Sequence, residues 1–84
     1  MTEKRISEVT VRMSDFFTRA IKTAAHHAAP VLVFRNHQGE LQCCLTSSPR
    51  AAPILGGQAT CCRVVGVFDQ NATPALIAAA ARAH

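Results

Sequence analysis

The chain has 84 residues, a formal net charge of +4, 49% hydrophobic and 17% charged residues, and four phenylalanines as its only aromatics. That length suits one domain, residues 1–84, able to fold on a single core without disulfides or metals. The apolar content excludes a disordered chain, and the lack of a run of about 18 apolar residues excludes a membrane-spanning helix.

Residues 1–6 read as a flexible lead, and MTEKRISEVTVRM (1–13) lacks the apolar core of a signal peptide. EVTVRM (8–13) alternates, with Val9, Val11 and Met13 on one side and Glu8, Thr10 and Arg12 on the other, the period of a half-buried strand. A competing reading extends the following helix back to Ser7. Ser14 offers an N-cap with Asp15 in the first turn. The helix that follows has an apolar face of Phe16, Phe17, Ala20, Ile21, Ala24 and Ala28, and Pro30 ends it.

VLVFRN (31–36) is a strand, HQGE a turn, and LQCCLTS (41–47) a strand returning antiparallel. Residues 48–60 carry two prolines and Gly56–Gly57, which predicts a long irregular loop. CCRVVGVFD (61–69) is the next strand. Thr73 as N-cap and Pro74 as first helical residue open the last helix, with Leu76, Ile77 and Ala80 toward the sheet. The expected fold is α+β and two-layer, in the order β-α-β-β-β-α, an antiparallel-rich sheet with both helices on one face.

The two cysteine pairs are the most chemically suggestive residues. Side chains alternate along a strand, so Cys43 joins Leu41 and Leu45 on the core face while Cys44 looks outward. By the same parity Cys62, Val64, Gly66 and Phe68 share one face; Cys61, Arg63, Val65, Val67 and Asp69 share the other. A zinc site needs cysteines a short turn apart, so that both thiolates converge on the metal. Adjacent cysteines within a strand diverge, and all four are read as packing residues. His26 and His27 lie on two faces of a helix end and cannot chelate together. The acids at 3, 8, 15, 40 and 69 place no pair on one element, and no nucleophile motif surrounds Ser47 or Ser48. No catalytic residue, metal or cofactor is assigned, and the chain is read as non-enzymatic.

From residue 14 onward the expected order α-β-β-β-α, ending in LIAAAARAH, resembles a double-stranded-RNA-binding domain in outline. That resemblance implies phosphate contact through lysines at the start of the last helix, where this chain reads NATPAL. VTVRMSDFFTRAI together with VLVFRNHQGELQCCL is loosely similar to the strand-helix-hairpin of Phd/YefM-type antitoxins, over about half the chain. No residue role is carried over from either family.

The leading expectation is a small cytoplasmic interaction protein, such as an accessory regulator or inhibitor of a larger machine of the phage or mobile-element type. Its interface would comprise Arg63, Val65, Val67 and Cys44 on the uncovered sheet face, with Ile54 and Leu55 from the loop. Because two helices cover one face only, the second face or an edge strand is expected to meet a second copy in a homodimer, or else a foreign protein. One alternative is an antitoxin-like or other nucleic-acid-binding regulator, using Arg12, Arg19, Lys22 and Arg35. Another is a thiol-dependent metal or redox protein.

Overall fold

The computed structural model describes residues 2–84, with side chains from Asp15 onward. In chain order the elements are α1 (Thr2–His27), β1 (Val31–Arg35), β2 (Leu41–Leu45), α2 (Ala51–Leu55), β3 (Arg63–Phe68) and α3 (Pro74–Ala83). The mixed α+β class and the antiparallel sheet are as expected. The order is α-β-β-α-β-α, and it departs from expectation in two places.

The first is 8–13, which belongs to α1 rather than to a strand. No glycine or proline interrupts residues 2–29, so nothing separates those six residues from the helix after them. Extending a formed helix adds one hydrogen bond per residue ordered, and this outweighs the slight helix aversion of two valines. The helix therefore does not start at Ser14. Its end is a Schellman motif: the Ala29 N–H bonds the Ala24 carbonyl at 3.1 Å and the Ala28 N–H bonds that of Ala25 at 3.3 Å. Ala28 occupies the left-handed position, at φ 49°, that glycine usually takes.

The second is α2, a single turn inside the expected irregular loop. Pro53 does not prevent it, because the first four N–H groups of any helix lack intrahelical partners. Ala51 and Ile54 of this turn are buried.

β1 and β2 form a tight hairpin. The Asn36 side-chain carbonyl accepts the N–H groups of Gln38 at 2.9 Å and Glu40 at 3.0 Å. Gly39 supplies the positive φ, 82°, that closes a three-residue loop.

The sheet order is β2-β1-β3, so β1 is central and β3 is an edge. Val31, Leu32, Val33 and Phe34 are all buried, because both faces of β1 are covered. On one face Val31 and Val33 pack with Val65 and with Phe17, Ala20 and Ala24 of α1 and Ile77 and Ala81 of α3. On the other, Leu32 and Phe34 pack with Ala51 and Ile54 of α2.

β3 carries a bulge. Val33 pairs with Gly66 but Phe34 pairs with Val64, so Val65 is an extra residue. Parity inverts there, which corrects the expected face assignment. Val65 and Phe68 face α1 and α3, whereas Cys62 and Val64 pack beneath α2. Val65, expected on an outward face, is 7% exposed and in the core. Gly66 sits where an added Cβ would lie 2.9 Å from the Phe68 ring.

Candidate functional site

Two sheet edges are available for contact, and the backbone hydrogen bonds determine what each presents. The Asn36 N–H bonds the Glu40 carbonyl, and the Thr46 N–H bonds that of Pro30. In an antiparallel ladder the bonded pairs alternate, so Phe34–Gln42 and Leu32–Cys44 are the bonded pairs between them. The N–H groups of Leu41, Cys43 and Leu45 therefore point away from β1. Among the described residues none of these three donates to a partner outside the β1–β2 ladder. β2 contains no proline, charge or bulge, and all five of its residues are half-buried.

The β3 edge differs. Its bulge interrupts the row of outward groups and Arg63, at its start, is exposed. Beside it Val67 is 49% exposed and Leu76 55% exposed, and the two line one shallow depression of about 220 Å³ with Phe68, Asp69, Asn71 and Ala72. A second depression, of about 150 Å³, lies at the end of α1 between Ala24, Ala28, Pro30 and Asp69. Both are smaller than the roughly 300 Å³ at which small-molecule pockets begin.

Of the six expected interface residues, Val67, Leu55 and Arg63 are exposed, Cys44 is half-buried, and Val65 and Ile54 are buried. The six do not form one surface. The second sheet face is in part closed by α2, so Ile54 and Cys44 belong to its packing.

The cysteines are free; three are half-buried and one is exposed. Cys43, expected to be buried, is half-buried against the α1/α3 cluster. Cys44 is half-buried against the α2 cluster rather than turned to solvent. Cys62 is half-buried on that same face and Cys61 is exposed. β1 lies between β2 and β3, so thiols of the two pairs are not on neighbouring strands. Burial raises the pKa of Cys43, reinforced by Cys44 and opposed by Arg19 and Arg50. Burial likewise raises that of Cys44, against the pull of Arg50. For Cys62, burial raises the thiol pKa first; a hydrogen bond from its side chain to Cys61 and the charge of Cys61 add to it, and Arg50 opposes. Among the described residues no group of three or more His, Cys, Asp or Glu side chains could hold a metal.

Of the basic residues proposed for nucleic acid, the three with described side chains form no single surface. The Arg12 side chain is outside the described residues. Arg19 pairs with Asp15 at 3.4 Å on the exposed face of α1, a contact worth well under about 1 kcal/mol, and Lys22 is exposed on the same helix. Arg35 has a structural role: its guanidinium donates to the Gly39 carbonyl at 2.8 Å and to the Ala81 carbonyl at 3.1 Å. It ties the hairpin to the last turn of α3, where a cation suits the helix dipole.

Arg50 is a residue whose role was not legible in the sequence. It donates to Gln42 at 2.8 Å and lies 5.6 Å from the Phe34 ring centroid, bridging β2, β1 and the start of α2. No local pattern announces such a bridge, since Gln42 and Phe34 meet it only through the hairpin.

No helix among the described residues is long and apolar enough to cross a membrane. Comparisons with protein-family models, with curated proteins and with solved structures return no match.

Proposed function

We propose that this chain is a non-enzymatic protein acting by protein–protein contact, and that its first partner is a second copy joined antiparallel through the β2 edge. The observation that carries this reading is the outward row of N–H groups at Leu41, Cys43 and Leu45, on a strand with none of the devices that blunt an edge. Soluble proteins rarely leave such an edge uncovered. β2 is self-complementary about Cys43: a two-fold axis there sets Cys43 against the partner's Cys43 and Leu41 against the partner's Leu45. In both pairs the N–H groups point outward, and the Leu45 carbonyl, which already accepts the Ser48 N–H at 2.9 Å, keeps a second lone pair for the partner. β2 itself carries no charged residue at the seam, although Arg50 lies beside it on Gln42. The three-stranded sheet, small by the usual range of about four to six strands, doubles.

A cytoplasmic setting accords with four free thiols. An accessory regulator or inhibitor of a larger machine is the broader class, by association with small proteins that act through contact alone. Among the described residues no converging basic surface supports the nucleic-acid reading.

Sedimentation equilibrium of wild type and Cys43→Pro tests the proposal. Proline removes an N–H that points outward, so the β1–β2 ladder survives while the partner bond is lost. The expected result is a wild-type dimer, a folded monomeric Cys43→Pro and a dimeric Cys43→Ser. A wild type monomeric at high micromolar concentration, or a Cys43→Pro dimer, overturns the proposal. If Cys43→Pro fails to fold, the wild-type mass alone decides.

A further inference from the structure

The two cysteine pairs are alike in sequence and opposite in geometry. Cys43 and Cys44 sit on a regular strand, so one thiol packs toward α1 and α3 and the other toward α2. Cys61 and Cys62 precede β3, in a turn closed by the Cys62 N–H on the Ala59 carbonyl at 3.0 Å. The chain turns there instead of running extended, so the two neighbouring thiols are not held on opposite faces of a strand. Cys61 is exposed, while Cys62 is half-buried against the cluster around Leu32 and Phe34.

We propose that Cys61–Cys62 is a thiol–disulfide exchange site that reacts with low-molecular-weight disulfides and closes to a bond between the two neighbours. The exposed Cys61, as thiolate, attacks one sulfur of the incoming disulfide. A new S–S bond forms, the old one breaks, and one small thiolate leaves. Cys62 then gives its proton to solvent and attacks Cys61 Sγ, releasing the second small thiolate. Two protein thiols are oxidised and one small disulfide is reduced to two thiols, so electrons balance.

The order of attack follows from position. Incoming reagent reaches Cys61 first, because Cys61 is exposed while Cys62 is half-buried against the cluster around Leu32 and Phe34. An accessible thiol beside a resolving partner is the arrangement that redox-responsive pairs require. The closed form is strained, since adjacent Cα atoms are about 3.8 Å apart and disulfides usually span about 4.4–6.8 Å. Strain makes such a bond easy to reopen, which suits exchange rather than structural support. The site lies ahead of β3, on the opposite side of the sheet from β2. It therefore stays accessible whether or not the chain dimerises through β2.

The test is treatment of the native protein with oxidised glutathione, then alkylation, trypsin and mass spectrometry. Cleavage after Arg50 separates the two cysteine pairs. The expected result is loss of two hydrogens from the Cys61–Cys62 peptide, reversed by dithiothreitol, with Cys43 and Cys44 alkylated. Cys62→Ser should trap glutathione on Cys61, and Cys61→Ser should leave Cys62 largely unmodified. Glutathione retained on wild-type Cys61, a bond from Cys62 to Cys44, or an unreactive Cys61 would each overturn the assignment.

Discussion

The two edges of the sheet are built from equally apolar strands and handle solvent in opposite ways. β3 breaks its own regularity: Val65 is inserted as an extra residue, two successive positions turn toward the helices, and Arg63 stands at the exposed start. β2 keeps five regular pairs and leaves alternate N–H groups facing outward. Apolar sequence at an edge therefore has two meanings. In β3 it reflects a bulge that feeds the core, and in β2 it belongs to a regular, uncharged edge, the feature on which the proposed pairing rests.

The sharpest way to break this comparison is to place the same charge on both sides of the bulge. Val65→Glu buries a carboxylate beneath α1 and α3 and should unfold the domain, a loss of more than about 4 kcal/mol. Val67→Glu, at a position 49% exposed, should melt within about 1 kcal/mol of wild type. Thermal denaturation followed by circular dichroism checks both, and equal effects would mean that the bulge is misplaced.

Gly66→Ala acts on the bulge itself. The new Cβ meets the Phe68 ring at 2.9 Å and should cost about 1–3 kcal/mol by overpacking. A neutral result in urea denaturation would show that the ring has room to move.

Thr73→Ala removes the side-chain oxygen that accepts the Leu76 N–H at 3.2 Å at the start of α3. It should lower stability by about 1 kcal/mol. An unchanged melting temperature would mean that the cap contributes nothing to the support behind β3.

The smallest expected effect is a gain. Ala28 holds a left-handed conformation before the turn into β1, and Ala28→Gly relieves it. Stability should rise by up to about 1 kcal/mol. A loss on denaturant titration would contradict the Schellman geometry.

Much of this fold can be read from the residues, and the failures have physical causes. Thr73–Pro74 and the HQGE turn follow from local chemistry, and the structure places them as expected; the alternation of β2 holds too, but Cys44 packs against α2 instead of facing solvent. The alternation at 8–13 misleads because six residues cannot separate a short strand from a helix that nothing interrupts. Val65 misleads because strict parity fails at a bulge, although a glycine inside a strand, Gly66, is the usual mark of one. The order β2-β1-β3 is not local information at all, and it decides that β1, not β3, is covered on both faces. The candidate contact edge was legible only in part. The hairpin loop length fixes which β2 amides point outward, but only once β2 is known to be an edge.

Amide hydrogen exchange along β2, at high and at low protein concentration, tests the central claim most directly. Gln42 and Cys44, bonded to β1, should be protected throughout. Leu41, Cys43 and Leu45 should be protected at high concentration and exchange faster on dilution, as the two-fold pairing dissociates. Fast exchange at Leu41, Cys43 and Leu45 at every concentration, with Gln42 and Cys44 still protected, would contradict it.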